Sequence, residues 1–338
     1  MRGLPRSAAP VAVFVLVMLV LVVGARLVER HRAQNLRVAS GPGSPITASP
    51  PPSSSTADSA RLPGLPVGTS TVRLTSGAHA RTYAVHVPAD LSDPAPLVLV
   101  LHGGFGSASQ AEQSYGWNDV AEREHALVVY PEGFGRAWNS GGDCCGAAAR
   151  EDVDDVAFLT AVVDDVSARV PVDRTRVYAA GMSNGAMMAQ RLACASDVVA
   201  AVGAVAGTIA PDTPCRPPGH PSVMLVNGTT DTRVLYDGGT SKVGPATIHA
   251  TAALDVAQMW RDVNGCPAPS TTTHGPVVTA AATCPGGRSV TLVTIKGYGH
   301  EWPSPHGSQT PYGEEVYTGW DATQQLWEFF AAHPHSGA

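Results

Sequence analysis

At 338 residues the chain is long enough for two average domains or one large α/β domain. With 44% hydrophobic and 15% charged residues it cannot be a disordered chain, and 35 Gly and 28 Pro spread along its length indicate many tight loops rather than collagen. The formal charge of −6 is unevenly placed: residues 1–62 hold seven Arg against Glu29 and Asp58, leaving −11 on the remainder, and an acidic body argues against a nucleic-acid partner.

Arg2 and Arg6 precede an uncharged stretch, residues 7–25, whose centre Val11–Val23 is wholly apolar. This is the pattern of an export signal. Val23-Gly24-Ala25 resembles a signal-peptidase site, while the uncharged length also suffices to span a bilayer, so residues 1–25 are expected to be a signal peptide or a signal anchor. The Arg on both sides do not decide between the two. Residues 26–66, with the run GPGSPITASPPPSSSTADSA, are expected to form a Pro/Ser-rich tether that cannot bury enough apolar surface to fold, which favours the anchor over a cleaved signal. Export also suits the six cysteines, which contain no C-x-x-C pair. Cys266 and Cys284 flank a short excursion and should pair, and Cys194 and Cys215 are candidate partners. The adjacent Cys144 and Cys145 leave alternatives open.

From Thr69 onward strands and helices alternate. Thr71–Leu74 and Thr82–Val87 read as a hairpin about Ser76-Gly77, and the continuous apolar run Leu97–Leu101 as a strand buried on both faces. Gln110–Glu124 predicts one helix, Ala126–Tyr130 a strand, Val153–Arg169 a helix and Arg176–Ala180 a strand. Helix Ala186–Ala195, strands Val199–Val205 and Val223–Asn227, helix Ile248–Val263, strand Val290–Ile295 and helix Thr323–Ala331 complete the series. Such alternation predicts a layered α/β fold over residues 67–333, with 334–338 as a tail.

The strongest chemical signal is Gly181-Met182-Ser183-Asn184-Gly185 between a strand and a helix. In that context the glycines permit a sharp turn that lifts the Ser183 hydroxyl to the top of the sheet. A serine becomes a useful nucleophile when a histidine takes its proton and a carboxylate orients that histidine. Asp231, in Asn227-Gly228-Thr229-Thr230-Asp231 after a buried strand, is the candidate acid, with Asp237 and Asp212 as rivals and an Asx-turn as the structural alternative. His300, in the glycine-flanked loop Gly297-Tyr298-Gly299-His300-Glu301-Trp302-Pro303, is the candidate base. The amide donors for an oxyanion are sought in Leu101-His102-Gly103-Gly104-Phe105-Gly106: Gly104, or alternatively Phe105, paired with Asn184 after the nucleophile. A phosphate loop is the other reading of these glycines, but no Lys-Ser/Thr follows.

Together LHGGFGS, YPEG, WNSGGDCCG with DVDDVAFL, GMSNGAMM, NGTTD and GYGHEWP resemble the secreted polyhydroxybutyrate depolymerase and feruloyl esterase family of α/β-hydrolases, in motif order from Thr69 to Phe330. The resemblance implies an α/β-hydrolase fold with a central, mostly parallel sheet flanked by helices. It also implies a serine esterase acting through an acyl-enzyme on hydroxycinnamoyl, acetyl or short hydroxyalkanoate esters, with Ser183, Asp231 and His300 as its triad and no cofactor or metal. Ser304 stands where the family often has Gly, and no polymer-binding module is recognisable, which weighs against insoluble substrates. Trp138, Trp302 and Phe105 lie in motif loops as candidate substrate walls. Asp154 and Asp155 are read as helix-dipole partners, and the sequon at Asn227 as backbone architecture. Two rival functions remain: a non-catalytic cell-envelope binding protein on a hydrolase scaffold, which would explain the anchor and tether but not the joint presence of Ser183, Asp231 and His300, and a serine peptidase, which would share the triad.

Overall fold

The computed structural model describes residues 64–306 and 315–335. The expected signal or anchor and nearly all of the tether lie outside the described residues, and no helix within them is long and apolar enough to cross a membrane.

A ten-stranded sheet organises the described residues. Its centre holds β3 (Ala95–Leu101), β4 (Leu127–Pro131), β5 (Val172–Met182), β6 (Ala201–Val205), β7 (Ser222–Gly228) and β12 (Ser289–Ile295). They run parallel in the order β4-β3-β5-β6-β7-β12. The run Leu97–Leu101 is buried at every position, as a strand covered on both faces requires. Both edges are antiparallel: β1 (Gly68–Ser76) and β2 (His79–Val87) flank β4, while β10 (Ser270–His274) and β11 (Val277–Thr283) flank β12. The core lies in two layers, one on each face of the sheet.

The expected helix Gln110–Glu124 is instead two, α1 (Ala108–Ser114) and α2 (Trp117–Glu124), because Gly116 turns left-handed at φ 73° and breaks the ladder. Ser107 caps α1 by accepting the Gln110 amide at 3.1 Å. After the short α3 (Gly146–Arg150), α4 (Asp155–Arg169) is capped by Asp154, whose carboxylate accepts the Ala157 amide at 2.9 Å. Asp155 does something else: it is buried, pairs with Arg81 at 2.8 Å and accepts the Asn139 amide at 2.8 Å, tying β2 to the loop around residue 139. Burial raises the Asp155 pKa, and the Asn139 amide and Arg81 oppose that shift.

α5 (Asn184–Ala195) follows β5 directly. The expected helix Ile248–Val263 begins later, as α6 (Ala253–Asn264), because residues 246–250 are drawn into a two-stranded ribbon, β8 (Gly239–Val243) with β9 (Ala246–Ala250). α7 (Ala322–Ala331) closes the fold. Cys266 is bonded to Cys284 across the β10–β11 hairpin, Cys194 to Cys215, and Cys144 to Cys145. This bonding fits an exported protein.

Candidate active site

Ser183 sits between β5 and α5 at φ 54° and ψ −121°, a strained turn in which its amide donates to the Val205 carbonyl at 2.9 Å. Gly185 is required beside it: a Cβ there would lie 2.3 Å from the Leu101 carbonyl oxygen, so only glycine lets α5 start against the end of β3. The Ser183 hydroxyl lies 2.8 Å from His300 Nε2, and His300 Nδ1 lies 2.7 Å from Asp231 Oδ2. The other carboxylate oxygen of Asp231 accepts the amides of Arg233 and Val234 at 2.8 and 2.9 Å. The Asx-turn and the histidine contact are therefore one device, with the turn aiming the free oxygen at the imidazole. Asp231, rather than Asp212 or Asp237, makes this contact. An imidazole held between a hydroxyl and a carboxylate can accept the hydroxyl proton and keep its own Nδ1 proton on the acid.

The loops that carry Asp231 and His300 are sewn together. Thr230 donates its amide to the Tyr298 carbonyl at 2.9 Å, Thr229 donates to Ile295 at 3.1 Å, and Gly297 donates to the Thr229 hydroxyl at 2.9 Å. Asn227 spends its side-chain amide on the Gly207 carbonyl at 3.0 Å inside the protein, as expected of backbone architecture.

Of the two oxyanion alternatives, the Phe105 amide is donated to the Arg136 carbonyl at 2.9 Å, and Gly104, like Asn184, lines the cavity at Ser183. Asn184 opens α5, so its N–H belongs to the four that a helix leaves without an intrahelical carbonyl. Its side chain also clamps the 138–145 loop beside the serine, since Oδ1 accepts the Trp138 amide at 2.7 Å and Nδ2 donates to the Trp138 carbonyl at 3.1 Å.

His102, not singled out from the sequence, braces the Gly104 loop. The Gly133 amide donates to its Nε2 at 3.0 Å, so the ring proton sits on Nδ1 and donates to the Gly103 carbonyl at 2.8 Å. Burial pushes its pKa down to about 4, and the ring is neutral at physiological pH. Its signal was present, a His directly before two glycines, but reading it as a brace needs the distant Gly133.

Trp138 and Trp302 do not form substrate walls. Both are fully buried: Trp138 donates Nε1–H to the His102 carbonyl at 2.8 Å, and Trp302 stacks on Tyr115 and donates to the Thr323 hydroxyl at 3.0 Å. The walls come largely from residues outside the motifs. A cavity of about 410 Å³ opens at Ser183, lined by Gly104, Phe105 and Asn184 together with Val243, Pro245 and Ile248 of the β8–β9 hairpin. Phe105 is 43% exposed there, facing Gly244 at the hairpin tip. Arg136, Arg150 and Arg233 also line it. Among the described residues no group of three or more His, Cys, Asp or Glu is placed to hold a metal ion.

The family model described as Esterase PHB depolymerase matches residues 81–232. Putative esterase NocK of Nocardia uniformis subsp. tsuyamanensis is 33% identical over 261 residues, covering 70% of this chain and 74% of that protein. Feruloyl esterase B of Piromyces equi is 34% identical over 217 residues, 61% of this chain, which spans only 39% of that longer protein. Among solved structures, acetyl xylan esterase from Aspergillus awamori superposes with a TM-score of 0.55 over 78% of this chain and 99% of its own, a likeness of fold at 16% identity. The strand–Ser183–helix turn, the parallel sheet beneath it and the match to NocK over most of both chains lead to one assignment: the chain belongs to the esterase PHB depolymerase family of α/β-hydrolases.

Proposed function

We propose that the protein is a serine carboxylic-ester hydrolase in which Ser183 attacks the ester carbonyl, His300 takes its proton and returns it to the leaving alcohol, and Asp231 holds the imidazole. The observation that carries this reading is the unbroken chain Ser183 Oγ–His300–Asp231 at 2.8 and 2.7 Å. The tetrahedral oxyanion would be met by the Gly104 and Asn184 amides, after which an acyl-enzyme forms and water, activated by the same histidine, releases the acid. The cavity at Ser183 combines apolar walls with a strongly polar rim, which suits short hydroxyalkanoate, acetyl or hydroxycinnamoyl esters rather than a bulky polymer surface. The relative named as a feruloyl esterase supports ester substrates over peptides. Residues 67–333 form the catalytic domain in this reading, and residues 1–66 direct it to an oxidising compartment and tether it there.

A panel of 4-nitrophenyl acetate, methyl ferulate, hydroxybutyrate oligomers and a peptide amide tests the assignment, with Ser183→Ala as the control. Turnover of esters that is lost in Ser183→Ala supports it. Cleavage of the amide alone, or ester turnover retained in Ser183→Ala, overturns it.

A further inference from the structure

Of the disulfides that join the described residues, one cannot serve the purpose of the other two. The bonds from Cys194 to Cys215 and from Cys266 to Cys284 have sequence separations of 21 and 18, so each closes a loop of chain and restricts the unfolded ensemble. The bond from Cys144 to Cys145 has a separation of 1 and closes no loop, so whatever it does is local. Its place is specific. Both cysteines are buried, at 2% and 6% exposure, in a small apolar cluster with Met187, Val234 and Ile248. Met187 lies one turn beyond Ser183 on α5, Val234 gives its amide to Asp231, and Ile248 belongs to the β9 strand of the cavity wall. The bonded pair is packed among the elements that carry the nucleophile, the acid and that wall.

The pair also meets Asn184. Cys145 donates its amide to the Trp138 carbonyl at 2.9 Å, and the Cys144 carbonyl accepts the amide and the hydroxyl of Ser140 at 2.8 and 3.1 Å. Trp138 and Ser140 are in turn the groups that face the Asn184 side chain, whose Nδ2 lies 3.1 Å from the Trp138 carbonyl, 3.3 Å from Ser140 Oγ and 3.9 Å from Cys144 Sγ. Cys145 lines the cavity together with Asn184 and Ser183. We propose, resting on the ester-hydrolase reading above, that the Cys144–Cys145 disulfide is a positioning pair. It fixes the 138–145 loop as the seat of Asn184 and so sets the direction of the Asn184 amide toward the developing oxyanion. A donor that meets charge formed only in the transition state must be held before the reaction, because a small displacement forfeits much of its effect. Opening the bond frees the backbone of that seat while the sheet and the triad stay in place, so it acts on the chemical step rather than on the fold.

The test sets C144S/C145S against C266S/C284S, with 4-nitrophenyl acetate as substrate and a trifluoromethyl ketone, whose adduct with Ser183 presents an oxyanion, as inhibitor. In C144S/C145S kcat should fall about tenfold or more with KM within about threefold, and the ketone should bind more weakly by a similar factor, as for an interaction made in the transition state. Its thermal midpoint should fall less than that of C266S/C284S, which should keep its kcat. Wild-type kcat in C144S/C145S overturns the proposal, as does a loss of kcat with ketone affinity unchanged, or a midpoint lowered as far as in C266S/C284S. Should C144S/C145S fail to fold, dithiothreitol acts on the wild type instead: two electrons and two protons pass from the dithiol to the bond, giving two cysteine thiols and the cyclic disulfide of the reagent. Alkylation and peptide mapping locate the opened bonds. Activity lost as Cys144 and Cys145 open, with the other two bonds intact, and regained on reoxidation supports the proposal, whereas activity retained with both as thiols overturns it. No turnover of 4-nitrophenyl acetate by the wild type would instead remove the ester-hydrolase reading and the proposal with it.

Discussion

Gly228 lies under the carbonyl of Tyr298 so closely that a Cβ at residue 228 would stand 2.2 Å from that oxygen. The contact joins the end of β7, which leads to Asp231, to the loop that carries His300, so the separation of acid and base is set by backbone touching backbone. Gly228→Ala must push the loops apart. It should cost about 1–3 kcal/mol by overpacking and lower kcat on a soluble ester by on the order of tenfold or more, since small displacements of a catalytic pair are expensive. Urea denaturation and steady-state kinetics on the same preparation check both, and a variant with wild-type kcat would show that the loops tolerate the shift.

Removing the nucleophile should be the most damaging single change. Ser183→Ala is expected to stay folded and to lose on the order of 10⁴-fold or more in kcat, the residue being one member of a unit that fails together. Asp231→Asn should also lose activity strongly by favouring the wrong imidazole tautomer, while Asp237→Asn, which does not contact His300, should remain near wild type. The order of the two aspartate variants is the decisive measurement.

His102 makes stability depend on pH with a definite sign. Its pKa in the folded protein is about 4 against an ordinary 6.5, chiefly because burial penalises the charged ring. Between those values the unfolded chain binds a proton that the native protein refuses. The contribution is therefore fully present above pH 6.5 and is lost progressively as pH falls toward 4, on the order of 3 kcal/mol in all. Urea denaturation at several pH values across this range, with His102→Asn for comparison, should give a shallower acid dependence in the variant. Identical slopes would mean that His102 is not the group responsible.

Cys266 and Cys284 close a loop with a sequence separation of 18 around the exposed β10 strand. Replacing both with serine should lower stability by about 3 kcal/mol, mainly by freeing the unfolded chain. Because β10 and β11 form the sheet edge away from Ser183, kcat measured well below the melting temperature should change little. Thermal denaturation and ester kinetics of the double variant read these separately.

The chemistry was legible because much of it is local. A strand, a G-x-S-x-G turn and a helix occupy consecutive residues, and glycines flanking Ser183 and His300 announce tight loops in the sequence itself. The buried strands were equally plain, since a strand covered on both faces must be apolar throughout. What sequence could not decide was which way a side chain faces once the layers pack. Trp138 and Trp302 sit in motif loops, yet both turn into the protein, because each indole N–H finds a buried acceptor contributed by a residue far along the chain. The β8–β9 ribbon escaped notice for a related reason: β8, Gly239–Val243, is mostly exposed and nearly devoid of apolar residues, so its strand character exists only in its pairing with β9. β9 then takes Ile248 away from the helical pattern that follows it. The polar edge strand β10, Ser270–His274, is exposed at every position and lacks a hydrophobic face to betray it. Sequence by itself singled out Ser183, His300 and the layered fold. Tertiary structure put Asp231, rather than Asp212 or Asp237, against His300, committed the Phe105 amide to Arg136, and assembled the cavity wall from segments whose pairing and burial have no local signature.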